Sequence, residues 1–290
     1  MKRINLNIAC GSTFVVHESW INLDYKSSNK SVTSANLLEP LNFDKEQVNV
    51  VYSSHFLEHI PRRRVNIFVG ECYRVLAVGG KIRLVLPDLE NLCSEYLKCR
   101  QNKEHEKADY AIIEIIDQCV RSYPGGFLGE YFKYLSDNPD TQGDMIEYVK
   151  KRCGEDLSPH VLPSKRNTHA DKSPQEIFIQ KMANTLSKPE DLVGKLQCKL
   201  SDFRTRLAIA LLPKAFREQN VSYASIGEKH AWMWDFYTLS RELEQAGFHD
   251  IKRLAFDETE IPGFPLIPLD MTADGSPRKG ESSMYIEARK

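Results

Sequence analysis

Short apolar runs, each closed by a polar or glycine-containing turn, recur through the first third of the chain: Ile4–Ala9, Trp20–Leu23, Val32–Leu37 and Val48–Ser53. A fifth, Lys81–Leu86, follows the Gly79-Gly80 pair. Runs of this length and bounding predict strands. Between the fourth and fifth, the stretch from Pro61 to Leu76 reads as a helix with proline in its first turn. Val65, Phe68, Val69, Cys72, Val75 and Leu76 recur there at helical spacing and so share one face. Strands alternating with a helix predict an α/β fold around a parallel sheet.

The pattern changes from Asn91 to about Lys229. Helical periodicity predicts Ala108–Val120, Phe127–Leu135, Glu176–Leu186 and Phe203–Phe216, and the polar, Pro- and Gly-punctuated stretch Asp137–Pro174 reads as loop. Alternation then returns, with a helix Phe236–Ala246 closed by Gly247 and strands Asp250–Phe256 and Ser282–Ala288. No internal repeat is present. The economical organisation is one α/β domain formed by 1–90 and 230–290, carrying a helical insertion at 91–229.

Composition narrows the function. Over 290 residues, 39 Lys+Arg against 40 Asp+Glu leave a net charge of −1, which argues against a general nucleic-acid binder. With 41% hydrophobic and 27% charged residues, disorder as the main state is excluded. No run reaches the ~18–20 apolar residues of a membrane span. The opening MKRINLNIACGS turns polar at once, unlike a secretion signal. The seven cysteines contain no C-x-x-C pair, so neither a disulfide framework nor a zinc ribbon is expected, and a reducing cytoplasm is the simplest compartment.

Leu6-Asn7-Ile8-Ala9-Cys10-Gly11-Ser12 places small residues at the carboxyl end of the first strand, the edge at which open parallel sheets bind ligands. Trp20-Ile21-Asn22-Leu23-Asp24 ends the second strand in an acid, where a carboxylate accepts from ribose hydroxyls. Ala35-Asn36-Leu37, then Val50 to His59 ending in His55-Phe56-Leu57-Glu58-His59, then Leu76-Ala77-Val78-Gly79-Gly80-Lys81 follow in order. In this combination the chain resembles the class I S-adenosylmethionine-dependent methyltransferases, in the methyltransferase type 11-like branch with H-x-L-E-H after the fourth strand.

The resemblance covers roughly 4–90, and 232–290 looks like the family's closing helix and last strands. It implies a Rossmann-like seven-stranded sheet with its last strand antiparallel, and S-adenosylmethionine over the turn from Ala9 to Thr13. It also implies Asp24 on the ribose, Asn36 and Leu37 beside the adenine, and Ala9, Cys10, Gly11, Ser12, Ser53 and His55 around the cofactor. The chain departs from the family pattern at Asn7, which stands for the usual acid, and at Ala9 and Thr13, which stand for glycines. The segment between the first two strands is also too short for a full helix.

His55, Glu58 and His59 stand at i, i+3 and i+4, so a helical turn would put them on one face. For Glu58 and His59 the favoured reading is a hydrogen-bonded pair locking the strand–helix junction. His55, nearest the strand end, fits a cofactor or acceptor contact. Two histidines and an acid are also metal ligands, but nothing else in the sequence clusters with them and no metal is assigned. Asp88, after the fifth strand, fits a general base and a helix cap equally. His230, before Trp232 and Trp234, is a third candidate base; Trp232 would wall an acceptor site, against the plainer reading of a hydrophobic anchor. Arg278 and Lys279, in the loop before the last strand, would hold a phosphate, against a solvated basic turn. Aromatics at Tyr123, Phe127, Tyr131, Phe132 and Tyr134 read as local core, oligomer interface or pocket lining. Lys195, Lys199, Arg204, Arg206, Lys214 and Arg217 read as a solvated face, or as contact with an anionic membrane. His160, His169 and Asp171 sit in loop context.

Members of the H-x-L-E-H branch resemble enzymes of surface-polysaccharide and O-antigen assembly, and the closest expectation is a sugar O-methyltransferase of the Ogawa perosamine type. The expected acceptor is thus a saccharide, or its nucleotide- or lipid-linked precursor, with peripheral membrane contact and homo-oligomerisation compatible. The alternatives are methylation of a small phenolic or amine metabolite and a non-catalytic Rossmann-like binding protein.

Overall fold

The computed structural model describes residues 4–27, 29–157, 204–205, 207–224 and 227–290. The chain divides into two compact units, Met1–Pro159 with Ala224–Lys290, and His160–Tyr223. The first unit holds strands β1 (Ile4–Ile8), β2 (Trp20–Asp24), β3 (Val32–Ser34), β4 (Val48–Ser54) and β5 (Leu76–Pro87), with helix α1 (Val65–Val75) between the last two. Helices α2 (Leu89–Gln101), α3 (His105–Val120), α4 (Gly126–Asp137) and α5 (Gly143–Cys153) follow. After α6 (Lys214–Asn220), which stands in the second unit, the first unit resumes with α7 (Phe236–Gln245), β6 (His249–Leu254) and β7 (Ser283–Arg289).

The strands form one sheet in the order β3-β2-β1-β4-β5-β7-β6. β1 to β5 pair in parallel, whereas β7 runs antiparallel to both β5 and β6. This is the Rossmann-like class I methyltransferase sheet that the sequence implied, with its last strand reversed. Because side chains alternate along a strand, successive residues serve two cores. Leu6, Ile8, Val51, Ile82 and Leu84 face α1 and the Leu239–Leu243 side of α7. Val50, Tyr52, Val85 and Tyr285 face the other way, against Ile261, Phe264 and Leu269 from the segment joining β6 to β7.

That second face carries a buried ionic network. Arg83, fully buried, donates to Asp270 Oδ2 and Glu287 Oε1 at 2.7 Å each, and Tyr52 Oη donates to Asp270 Oδ1 at 2.7 Å. A concavity of ≈ 820 Å³ opens beside Val15, His17, Asn49, Gly80, Lys81 and Phe264, at the strands' amino-terminal ends. It lies at the opposite edge from the loops that carry the candidate chemistry.

Three differences from the sequence expectation have physical causes. The third strand stops at Ser34, because Leu37 turns into the core. β5 begins directly after α1, at Leu76, since Gly79 at φ 78 and Gly80 continue the strand instead of ending it. The stretch read as loop from Asp137 contains α5, whose Met145, Ile146 and Val149 make a narrow apolar stripe among charged neighbours. These join Tyr110, Leu135 and Leu157 in a third core shared by α3, α4 and α5. The predicted helix Glu176–Leu186 and the rest of that loop beyond 157 lie outside the described residues.

α5 is fastened to the loop before β7. Glu281 N and Ser282 N donate to Lys151 O and Arg152 O at 3.0 and 2.9 Å. Gly280, at φ +66, fits because a Cβ there would stand 2.2 Å from Arg152 O. Arg152 itself is buried and bonds Glu114 and Asn91, so the loop that enters β7 is held by α2, α3 and α5.

Candidate functional site

β1, β2, β4 and β5 end on one edge, and the turn after β1 is shaped for close backbone approach. Ala9 and Gly11 take left-handed φ values of 55 and 54, and Thr13 N closes the turn on Cys10 O at 2.9 Å. Asn7, buried in place of the usual acid, donates from Nδ2 to Thr13 O and to Asn22 Oδ1, both at 3.1 Å. An amide can donate where a carboxylate cannot, so Asn7 pins the turn from beneath. Gly11 N donates to Asp24 Oδ2 at 2.7 Å, which links the turn to the end of β2. Gly11 and Ser12 are exposed, and a Cβ on Gly11 would meet nothing within 4 Å. Cys10 is buried, and burial with Asp24 beside it pushes its thiol up to about 11, so it is inert.

The end of β3 lies next to this turn, since Ala35 N donates to Asp24 O at 2.7 Å. Asn36 is exposed there, with Oδ1 accepting from Leu38 N at 3.2 Å, whereas the Leu37 side chain is packed in the core. The structure therefore brings Ala9, Gly11, Ser12, Asp24 and Asn36 together at the surface. Leu37 has only its backbone left to offer. Ser53, at the end of β4, is buried with no partner for its hydroxyl among the described residues.

The segment after β4 departs most from expectation. His55 adopts φ 51 and donates its backbone N–H to Val85 O at 2.8 Å, and the chain then makes a single 3-10 turn at Leu57–His59. Glu58 and His59 do not form the expected hydrogen-bonded pair: their side chains stand 3.9 Å apart. The junction is locked by backbone instead, with Glu58 O accepting from Ala231 N and Trp232 N at 2.7 and 3.2 Å. That contact carries His230 to the same carboxyl group, from 172 residues beyond Glu58 in sequence; His230 Nε2 lies 4.0 Å from Glu58 Oε1. His55 Nδ1 lies 3.5 Å from that same oxygen.

Hydrogen bonds assign two of the three imidazoles. His59 Nδ1 stands 3.0 Å from Lys229 O, a carbonyl that only accepts, so Nδ1 carries the hydrogen and Nε2 an open electron pair. Ser283 Oγ donates its one hydrogen to Lys279 O at 2.9 Å, so the 3.0 Å contact with His55 Nε2 requires His55 to donate. His55 Nδ1 is then the open electron pair, and it faces Glu58. These groups are not ion pairs despite their spacing. Burial, reinforced by Lys279, holds His55 well below the usual histidine range, and burial takes His230 down to about 3. The same burial pushes Glu58 up to about 8. Glu58 is 1% exposed, and neither of its oxygens has a hydrogen-bond partner among the described residues.

Asp88 resolves toward its structural role. It is fully buried, its Oδ1 accepts from Glu90 N at 3.0 Å to cap α2, and its Oδ2 pairs with Arg253. Burial raises its pKa and Arg253 opposes the rise. With both oxygens engaged, the general-base reading is withdrawn. Arg278 is likewise tied, donating to Pro268 O at 2.6 Å and Met271 O at 3.3 Å. Lys279 stays beside His55 and carries the loop's side-chain charge there. Trp232 is 44% exposed and Trp234 fully buried, with Arg62 stacked between them at 5.8 and 4.9 Å from the ring centres. The anchor reading thus holds for Trp234 and the wall reading stays open for Trp232. Tyr131 and Phe132 pack against the third core, while Phe127 and Tyr134 are exposed. His160, His169, Asp171, Lys195, Lys199 and Arg206 lie outside the described residues. No helix among the described residues is long and apolar enough to cross a membrane.

Residues 19–84 match the family model described as a methyltransferase domain. No curated protein matches the chain. Among solved structures, a SAM dependent methyltransferase from Archaeoglobus fulgidus is similar at 13% identity and TM-score 0.37, over 99% of this chain and 86% of that one. The PH0226 protein from Pyrococcus horikoshii aligns at 22% identity and TM-score 0.27, over 34% of this chain and 55% of that one. Phosphoethanolamine N-methyltransferase 1 from Haemonchus contortus, solved with phosphoethanolamine and S-adenosylhomocysteine, aligns at 18% identity and TM-score 0.25, over 31% of this chain and 24% of that one. The match at 19–84 is thus a similarity to a methyltransferase domain, and the strand order is that of the Rossmann-like class I methyltransferase fold.

Proposed function

We propose that the chain O-methylates a hydroxyl of a saccharide, of the surface-polysaccharide or O-antigen kind or its nucleotide- or lipid-linked precursor. The carrying observation is His55: a neutral imidazole at the end of β4 whose Nε2–H is fixed by Ser283, leaving Nδ1 as base. Ser283 orients His55 here as an orienting partner does in other base-assisted sites.

The turn at the end of β1 fits the cofactor, since Gly11 leaves it open and Asn7 supplies the support an acid would otherwise give. Ala9, Cys10, Gly11 and Ser12 would present backbone to S-adenosylmethionine. Asp24 would keep Oδ1 for the ribose hydroxyls while Oδ2 holds Gly11 N, and Asn36 with the Leu37 backbone would border the adenine. S-adenosylmethionine, when bound, supplies a methyl group on a sulfonium that already leaves readily. The chain's own work is alignment, which is worth on the order of 7–11 kcal/mol, and removal of the acceptor proton by His55 Nδ1. Exposed Trp232, beside the His55–His59 junction, supports an acceptor with a flat apolar face, as pyranose rings have. Lys279 next to His55 would favour a phosphorylated or nucleotide-linked form. The six described cysteines are all free, which supports a reducing, cytoplasmic setting.

Mass spectrometry of saccharide and small-molecule pools, incubated with the enzyme and S-adenosylmethionine, tests the reading. A methyl increment on a saccharide is expected. His55→Ala should lower the rate about 10²–10⁴-fold, the usual contribution of a positioned base, with cofactor affinity unchanged. Product found only among phenols or amines overturns the acceptor class, and full turnover by His55→Ala overturns the base.

A further inference from the structure

We infer that Glu58, His59 and His230 form a binding site for a divalent first-row transition-metal ion. Their donor atoms, a carboxylate oxygen and two imidazole nitrogens, all lie within 4.8 Å of one another. Two ligand atoms held about 2.1 Å from one tetrahedral zinc stand about 3.4 Å apart. The distances from Glu58 Oε1 to His59 Nε2 and His230 Nε2, 3.9 and 4.0 Å, need only a small contraction to reach that spacing.

The stronger argument is what the cluster lacks. Glu58 is 1% exposed, yet neither of its oxygens has a hydrogen-bond partner among the described residues. A buried polar atom left unpaired carries its full desolvation penalty with nothing to offset it. A single proton on Glu58 serves one of the electron pairs that converge on it, from His59 Nε2 and His55 Nδ1, and leaves the other bare. A cation held by Glu58, His59 Nε2 and His230 Nε2 serves the carboxylate and both of those imidazole pairs at once. Among the described residues Glu58 forms no ion pair with a lysine or arginine, so no side-chain cation already fills the role.

The surroundings are those of oriented ligands. His59 donates Nδ1–H to the Lys229 carbonyl, the outer contact that fixes Nε2 as the ligating nitrogen. His230 is positioned by its own backbone, whose N–H bonds Gln118 O at 2.9 Å near the end of α3. A carboxylate with two imidazoles suits zinc, iron(II), manganese, cobalt or nickel, whereas magnesium and calcium take oxygen ligands. The three ligands are spread over the β4–α1 junction and the segment before α7, so the site closes only in the folded chain. It stands independently of the acceptor proposed above.

The full-length protein, stripped with chelator, would be titrated with Zn²⁺ by calorimetry and with Co²⁺ by visible ligand-field absorption. One equivalent is expected, with a cobalt spectrum of nitrogen and oxygen ligation. Glu58→Gln and His230→Ala should weaken binding by at least the 10–100-fold that removing even an outer contact costs. His59→Ala, at the more exposed ligand, gives the same test where the buried variants fold poorly. His249→Ala, at an exposed histidine beside Asp250, should leave binding unchanged. No stoichiometric uptake at millimolar metal overturns the site, as does uptake that survives Glu58→Gln, His59→Ala and His230→Ala alike. S-adenosylmethionine binding measured on the same samples separates failure of this site from failure of the methyltransferase reading.

Discussion

Asp88 and Glu58 are both buried carboxyl groups just past strand ends on the same sheet edge, and their surroundings are opposite. Asp88 spends one oxygen on the first turn of α2 and the other on Arg253. Glu58 faces three imidazoles, none of them held charged, and bonds none of them. Burial raises both pKa values; Arg253 opposes the rise at Asp88 through a direct ion pair, whereas Lys279 opposes it at Glu58 without forming an ion pair among the described residues. A carboxyl group that is fully partnered in the isolated fold is part of the scaffold. One that is fully buried and unpartnered is arranged for something the chain itself does not supply. The contrast separates structure from function at two positions that the sequence presents alike.

Arg83, buried and paired with two carboxylates, sets the scale for breaking this contrast. Arg83→Met would strand Asp270 and Glu287 beneath Tyr52, and urea denaturation should show a loss of about 3–5 kcal/mol, the cost of removing one partner of a buried pair. A much smaller loss would mean that the network tolerates its own disruption and that burial here is a poor guide. Asp88→Ala comes next. It removes a helix cap and an ion pair with the half-exposed Arg253, and should cost about 1–2 kcal/mol. Glu58→Met completes the series with the smallest and opposite effect. Exchanging an unpartnered buried acid for an apolar side chain of similar length should leave the metal-free protein as stable or up to about 1 kcal/mol more stable. If Glu58→Met and Asp88→Ala destabilise equally, the two carboxyl groups are both scaffold and the distinction collapses.

Much of the fold could be read along the chain because its signals are local. Apolar runs with turn residues marked β1, β2 and β4 to within a residue, and the stripe from Val65 to Leu76 marked α1, although the helix starts at Val65 rather than Pro61 and Leu76 already belongs to β5. α5 escaped because Gly143, Asp144 and three basic residues in its last turn outweigh an apolar face of only Met145, Ile146 and Val149. The turn after β1 was legible by composition, although why Asn7 replaces an acid emerged only when its amide was seen to hold Thr13 O. Asp88 offered two roles in sequence, and Arg253, which decides between them, arrives from β6. The histidine cluster was half visible. His55, Glu58 and His59 sit in one short motif, but His230, 172 residues beyond Glu58, reaches them through the backbone contact of Ala231 and Trp232 with that acid. Ser283 and Lys279, which fix the His55 tautomer and depress its basicity, come from the last strand and its entry loop. Spacing reports neighbours within a turn of helix; it carries no signal for partners joined by tertiary packing.

The most direct test is calorimetric titration of S-adenosylmethionine into the wild-type chain and Asp24→Ala, with circular dichroism to establish that both are folded. One cofactor per chain should bind the wild type. Asp24→Ala should bind about tenfold to a hundredfold more weakly, the loss expected when a charged hydrogen-bond acceptor is removed. Absence of binding to the folded wild type at millimolar cofactor, or equal binding by Asp24→Ala, would contradict the cofactor site built on the Ala9–Gly11 turn.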